Sequence, residues 1–458
     1  MPEQQKRDSR KKRKAGAGGG SRGKNRPGRD VRTTAAAAGP GLNEAPPDIP
    51  GAVRISRRAA DRLRAGHVWV YRSDVEFWPG EPEQLAAGLV PVADRRGALL
   101  GTALYSPASE IALRVVAPGL IDGEDAWLDL LRARLRAAIA RRKPLLDADN
   151  NACRLVFSEA DKLPGITVDQ YASLVIVQLR HKALDNDAVR TALTETLRAE
   201  VASEAEGPET ILEREDPRIR ELEQLSAPAS ATLFARDAEH PVTSTVFRLN
   251  GLVFAFDATS GQKTGAFLDQ RENYAAAARC ATGEALDVCT YQGGFALHLA
   301  RVCPRVTGVD VSRAALEVAE RNLAANRAAL GAAEVDWVEA DAFALLRDWS
   351  DAGSVYDTIV LDPPAFAKSK RAVEGALRGY RELNLRALKM LRPGGRLITC
   401  SCSHHVSLGD LMETLRAAAG DARRRVRLLE VRGASADHPV VLTIPETEYL
   451  KCVIVEAE

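Results

Sequence analysis

The chain has 458 residues, 45% hydrophobic and 27% charged, a composition that excludes fibrous and wholly disordered classes and suits roughly two to four globular domains. No run approaches the ~18–20 apolar residues that span a bilayer, the first residues lack a signal peptide's apolar core, and seven cysteines in no disulfide-like pattern read as reduced thiols of a cytosolic protein with no membrane partner. The net charge of +1 hides an asymmetry, because residues 1–32 hold 12 basic and 3 acidic side chains and the remainder 51 and 59.

Residues 1–50 are rich in Gly, Ala, Arg, Lys and Pro and include Arg10-Lys11-Lys12-Arg13-Lys14. They cannot bury enough apolar surface to offset chain entropy and are expected to be disordered. Such a tail attracts phosphate without sequence specificity; the plainer alternative is a solvated solubility tail. Residues 51–119 predict a helix over Ser56–Ala65, ended by Gly66, and short strands at 67–71, 89–93, 99–104 and 111–116. Several short strands in so few residues point to a small β-barrel.

Residues 120–245 read as a small α+β domain. Leu128, Leu131, Leu135 and Ile139 repeat at helical spacing in an Arg-rich helix. Strands are expected at 155–157, 174–179 and 210–213, a helix at 184–200, and a long polar loop over 214–243. From about residue 246 to 458 strands alternate with helices, the strands falling at 285–289, 305–309, 334–338, 357–361, 395–400, 426–431 and 448–455. That alternation predicts an α/β domain with a mostly parallel, doubly wound sheet. The short link before the last strand makes one of the final two antiparallel.

Five features carry chemistry. In Asp287-Val288-Cys289-Thr290-Tyr291-Gln292-Gly293-Gly294-Phe295 a strand passes through a glycine turn into a helix, whose free N–H groups and close backbone approach suit a ligand. Asp310, ending the next strand, suits the two hydroxyls of a ribose, and Asp341, past the third, the amino group of adenine. The dinucleotide pattern G-x-G-x-x-G is absent, so an adenosine without a pyrophosphate fits better, namely S-adenosylmethionine (SAM). The alternative for Asp310 and Asp341 is helix N-capping.

Asp362-Pro363-Pro364-Ala365-Phe366 closes the fourth strand, where two prolines stiffen a loop on the ligand side of the sheet. Cys402, in Ser401-Cys402-Ser403, follows the fifth. A thiolate adding to C6 of a pyrimidine would activate C5 for methylation, which methylation of an exocyclic amine does not require. Cys402 could otherwise be a small apolar residue at a strand end. A zinc site from Cys400, Cys402, His404 and His405 is disfavoured, since the Cys-x-Cys spacing is tight and no second pair exists; no metal is expected. The polar segment Gly261–Arg271 enters a helix, and Lys263 and Arg271 are candidates for phosphate or the SAM carboxylate, with a turn and helix cap as the alternative.

These residues together resemble bacterial 23S ribosomal RNA 5-methylcytosine methyltransferases with an N-terminal PUA domain. The matching segments are those just quoted, with Arg378-Gly379-Tyr380, Ala436-Asp437-His438-Pro439, Tyr105–Ser109 and Asp161–Thr167, so the resemblance spans about residues 51–458. It implies a PUA barrel, a small central domain and a Rossmann-like SAM-dependent methyltransferase domain with a seven-stranded sheet. By position Cys402 would be the nucleophile and Asp362 would orient the base. Asp287, Tyr291, Gly293, Gly294, Phe295, Asp310, Asp341, Asp362, Gln270 and Arg271 would meet SAM, and Lys263, Pro363, Pro364 and Phe366 the substrate. The expected partner is RNA, in 23S rRNA or a large-subunit particle, with a homodimer left open. Cys400, the basic tail and the 214–243 segment depart from the family pattern. Two rivals stand beside this reading: methylation of another base position with Cys402 structural, and a non-catalytic RNA-binding assembly factor.

Overall fold

The computed structural model describes residues 49–201, 207–214, 216–225, 231–259, 266–367 and 369–458. The disorder expected of residues 1–50 lies outside them except for the last two, as does Lys263.

The first sheet has six strands in the order Trp69–Val70, Leu113–Ala117, Leu99–Tyr105, Gly88–Asp94, Val53–Ile55 and Val75–Phe77. Ser56 caps the helix Arg57–Arg64, its hydroxyl accepting the Ala59 amide at 3.2 Å. Val53, Ile55, Val70, Val92, Tyr105 and Leu113 form the buried interior.

The central sheet runs Thr232–Ala235, Thr210–Glu213, Leu174–Leu179, Ile166–Tyr171 and Ala152–Phe157. The expected strand at 174–179 is buried on both faces. Val175 and Val177 pack with Leu131, Leu135 and Leu193 of the helices Gly123–Arg142 and Asp187–Glu200. Leu174 and Ile176 point the other way, toward Phe247 and Phe254. Period-two alternation thus lets one apolar run serve two cores, each buried aliphatic side chain contributing about 1.5–3 kcal/mol.

The long loop expected over 214–243 is not what the described residues form. Asp216 caps a helix Pro217–Glu223, and Thr232–Ala235 joins the central sheet as its edge strand. An Asp-Pro pair is a helix-start signal, Pro at the first turn giving up no hydrogen bond. A hairpin, Ser244–Leu249 with Leu252–Asp257, was also not anticipated; Asn250 (φ 52°) and Gly251 (φ 79°) make its two-residue turn. Asn-Gly between alternating apolar residues is the signal that marks it.

The C-terminal sheet comprises β1 (Glu284–Val288), β2 (Arg305–Asp310), β3 (Glu334–Glu339), β4 (Tyr356–Leu361), β5 (Leu391–Ser401), β6 (Val426–Arg432) and β7 (Lys451–Ala457). Their spatial order is β3-β2-β1-β4-β5-β7-β6, with β7 antiparallel to both neighbours and the rest parallel. Strand order reverses between β1 and β4, and in such sheets ligands bind outside the carboxyl ends of the strands at that reversal. The glycine turn, Asp310, Asp362 and Cys402 all follow the carboxyl end of a strand around it.

Candidate functional site

Asp287, near the end of β1, is fully buried. Its Oδ2 accepts the Thr290 hydroxyl at 2.5 Å and the Ala296 amide at 2.9 Å, while Oδ1 has no hydrogen-bond partner. Burial pushes its carboxyl up to about 7, against the pull of those two bonds. The turn that follows holds Cys289 (φ 64°), Tyr291 (φ 52°) and Gly293 (φ 84°) in left-handed backbone. For the two non-glycine residues this costs on the order of 1–2 kcal/mol each. A Cβ on Gly294 would lie 2.5 Å from the Tyr274 hydroxyl, so the helix Gly294–Leu299 rests directly on that ring.

The strained turn is fixed by Asp310. Its Oδ2 accepts the Tyr291 amide and its Oδ1 the Ser312 amide, both at 2.9 Å. Ser312, not Asp310, caps the helix Arg313–Leu330. Asp310 is therefore a carboxylate fork at the glycine turn, with lone pairs left for neighbouring hydroxyls. Asp341 caps the helix Ala342–Asp351, its Oδ1 accepting the Ala344 amide at 2.9 Å, which leaves Oδ2 outside the cap bond. Phe295 is buried edge-on to Tyr274 at 4.7 Å, which places its ring in the core beneath the turn. The open fork, the strained turn and the orphaned Asp287 oxygen fit a nucleoside carrying a charged side group.

The second half of the site lies past β4 and β5. The Asp362 amide donates to the Val288 carbonyl at 3.2 Å, tying the loop to β1, and Oδ2 accepts the Gln270 side-chain amide at 3.0 Å. Burial pushes the Asp362 carboxyl up to about 8, with Asp269 and Asp287 adding to the effect and Gln270 opposing it. Cys402 Sγ lies 3.9 Å from the Pro363 carbonyl oxygen. Burial, then Asp362 and Asp269, push its thiol up to about 12, and Lys451 pulls the other way. Pro364 is exposed; Pro363 is buried, and the Phe366 ring packs on Tyr380 at 4.8 Å and Phe343 at 5.8 Å.

Gln270 reaches the site but Arg271 turns away from it. Arg271 is buried, its guanidinium 3.4 Å from Asp437 Oδ1 and 3.4 Å from the Ala152 carbonyl, so it joins elements instead of facing a ligand. Asp437 also accepts the Arg154 amide at 2.8 Å. Cys400 is buried opposite Cys452 in the β5–β7 ladder. Among the described residues no cluster of His, Cys, Asp or Glu is placed to hold a metal ion, and none of the helices is long and apolar enough to cross a membrane.

The site also includes residues that local sequence did not single out. Tyr380 holds both serines flanking Cys402, its hydroxyl 2.9 Å from Ser401 Oγ and 3.0 Å from Ser403 Oγ. Lys451 Nζ donates to the carbonyls of Ser403 at 2.8 Å and Tyr449 at 2.9 Å. Tyr449 donates its hydroxyl to Asp269 at 2.5 Å. Asp269 and Tyr380 sit within segments already quoted for the resemblance; Tyr449 and Lys451 carry no local signal.

Comparison with known proteins bears on the domains and the family. Residues 53–118 match the model of a PUA-like domain, and residues 218–432 that of an S-adenosylmethionine-dependent methyltransferase. The Ribosomal RNA large subunit methyltransferase I of Shewanella denitrificans is 36% identical over 396 residues, covering 86% of this chain and 96% of that protein. The protein of the same name from Photobacterium profundum is 35% identical over 394 residues, covering 85% and 95%. A crystal structure of a candidate methyltransferase complexed with SAH shares the fold, with a TM-score of 0.73 at 19% identity over 88% of this chain and 99% of that one. Nothing in these matches speaks for a homodimer. A family model matched over residues 218–432, and relatives alike along almost their whole length, lead to one conclusion: the chain belongs to the family of ribosomal RNA large subunit methyltransferase I, and it is a SAM-dependent methyltransferase.

Proposed function

We propose that the enzyme methylates carbon 5 of a cytosine in large-subunit (23S) ribosomal RNA, in the cytoplasm, through a transient bond between Cys402 and C6. The observation that carries this reading is the seating of Cys402 against the Asp362-Pro363 loop, Sγ being 3.9 Å from the Pro363 carbonyl at the ends of adjacent strands. The names of the relatives support the RNA target, and the PUA-like domain supports RNA binding.

Bound SAM supplies a methyl group made electrophilic by its sulfonium. Asp310 and the Tyr291–Gly293 turn would hold its ribose side, Asp341 its purine and Asp287 its charged end. Cytosine C5 is a poor nucleophile. Attack of Cys402 Sγ on C6 forms the S–C6 bond and moves the C5–C6 π electrons onto the ring, making C5 an enamine carbon. Asp362 bonds the N3/N4 edge and, with a carboxyl pushed up to about 8, holds a proton near neutrality that it can offer to N3. C5 takes the methyl group; the C5 proton then passes to water as its bonding pair re-forms the C5–C6 double bond, the S–C6 pair returns to sulfur, and N3 gives its proton back to Asp362. The thiol, pushed up to about 12, is protonated at rest, gives its proton to water as it attacks, and takes one back when the S–C6 bond breaks.

RNA carrying 5-fluorocytosine tests this, because fluorine blocks the final C5 deprotonation. A denaturation-stable adduct that disappears in Cys402→Ala is the expected result. The resting state of the thiol favours one rival, methylation of an exocyclic amine with Cys402 structural. Methyl transfer to ordinary RNA without an adduct on the fluorinated one would establish that rival.

A further inference from the structure

A cavity of about 800 Å³ opens beside the catalytic loop, where the first sheet, the central sheet and the C-terminal domain meet. Three rings make one wall. Phe157 lies 6.1 Å from Tyr449, and Tyr449 stacks on His404 at 5.4 Å and 30°. His404 is two residues past Cys402, so the wall runs up to the catalytic loop. Phe267 stands at the rim, 44% exposed, its ring edge-on to Tyr291 of the glycine turn at 5.1 Å. The cavity therefore borders both halves of the site, yet Cys402 and Asp362 do not line it.

Charge decides what fits. Of three arginines on the wall, Arg114 pairs with Glu159 at 2.9 Å and Arg154 with Asp169 at 2.7 and 2.8 Å. Arg180 has no ion-pair partner among the described residues; it donates to Gln178, and its Nε is buried with no acceptor. Of the cavity's other carboxylates, Asp269 accepts from the Tyr449 hydroxyl, Glu223 from the Ser106 hydroxyl and Glu446 faces His67, and the two hydroxyl bonds leave the carboxylate charge in place. Glu110 is exposed at the rim. An aromatic wall with one unpaired cation matches a single nucleotide, a π-face and one phosphate, better than a run of phosphates. The volume lies in the range of small-ligand sites, about 300–1,000 Å³.

We propose that this cavity is a subsite for one unpaired nucleotide flanking the target, its base stacked on the Phe157–Tyr449–His404 wall and its phosphate on Arg180. Turning a base into the catalytic pocket unstacks its neighbours, and an aromatic wall offsets that loss. The assignment rests on RNA being the substrate.

The test titrates a single-stranded RNA oligonucleotide, with 2-aminopurine beside its cytosine, onto the full-length enzyme in the presence of SAH. Stacking in the cavity should quench the fluorophore. Phe157→Leu should lose the quench and weaken binding roughly five- to hundredfold. Arg180→Gln should weaken binding and lower the salt slope by about one. Phe157→Tyr and Arg180→Lys should recover most of each loss, and unchanged SAH affinity would report an intact fold. Binding and quenching like wild type in both Phe157→Leu and Arg180→Gln would overturn the subsite even while RNA is methylated. A wild-type enzyme that methylates no RNA would instead remove the underlying reading, and the subsite with it.

Discussion

Gln270 donates its side-chain amide to Asp362 Oδ2 at 3.0 Å, joining two segments 92 residues apart. That bond opposes the burial that pushes the Asp362 carboxyl up to about 8. A carboxyl raised in the folded state stabilises the fold fully only below its unfolded value near 4, and that contribution is lost as pH rises through about 8. Asp362→Asn should therefore abolish methyl transfer yet be more stable than wild type at pH 9, by about 1–3 kcal/mol once solvent access is allowed for. Gln270→Leu should push the carboxyl higher still. Chemical denaturation at pH 5 and pH 9 checks both, and an Asn variant no more stable at pH 9 would count against a strained carboxylate.

Tyr380 fixes Ser401 and Ser403 on either side of Cys402. Tyr380→Phe should cost about 1–3 kcal/mol of stability by leaving two buried hydroxyls short of a partner. It should also lower kcat roughly ten- to hundredfold through a misplaced sulfur, with SAM affinity nearly unchanged. Single-turnover methyl transfer with a parallel SAM titration separates the effects; an unchanged rate would mean Cys402 needs no such support.

Arg271 meets Asp437, not the ligand corner. Breaking a buried pair leaves the other charge uncompensated, so Arg271→Met should destabilise the protein by about 3 kcal/mol or more. The folded fraction should still bind SAM within a few-fold of wild type. A large loss of SAM affinity at unchanged stability would return Arg271 to the cofactor.

His298 links the Asn250-Gly251 hairpin turn to the glycine turn: Nδ1 donates to the Gly294 carbonyl at 2.7 Å and Nε2 accepts from Asn250 at 3.0 Å. Burial pulls it down to about 4, against the Gly294 bond. A depressed histidine contributes stability that is whole above its unfolded value near 6.5 and is lost as pH falls through about 4. Acid should therefore weaken the fold across that window, by on the order of 3 kcal/mol from this group. His298→Gln should flatten the slope, and thermal melts from pH 7 to 4 would show it.

The basic tail predicts a softer effect. Deleting residues 1–45 should weaken RNA binding and flatten its salt dependence, because fewer counterions are released. Filter binding at several salt concentrations measures the slope, and an unchanged slope would make the tail a passenger.

Local pattern was enough to find β1 to β4, each observed within a residue of its expected position, because apolar residues ended by a charged or turn residue mark a strand whether it is buried, as β1 and β4 largely are, or lies at the edge with exposed acids, as β3 does with Glu334, Asp336 and Glu339. For the same reason Asp310, Asp362 and Cys402 could be picked out: each follows such a run. Short elements escaped. The helix Pro217–Glu223 lies where apolar periodicity is weak and only its cap residues mark it, whereas the hairpin around Asn250-Gly251 carries both the turn pair and the alternation of Phe247, Leu249, Leu252, Phe254 and Phe256, a signal present in the sequence but passed over.

The sequence by itself determined the type of chemistry available, since a glycine turn, an acid after each of several strands and a cysteine after another are properties of contiguous residues. Tertiary structure alone decided which of those groups share a site and in what state. It sent Arg271 to Asp437, brought Tyr380 to both sides of Cys402 from 21 and 23 residues away, and set Asp269 near Asp362. Hydrogen-bond partners, burial and the proton affinities they shift depend on distances between residues remote in the chain, and strand order, not local composition, fixes those distances.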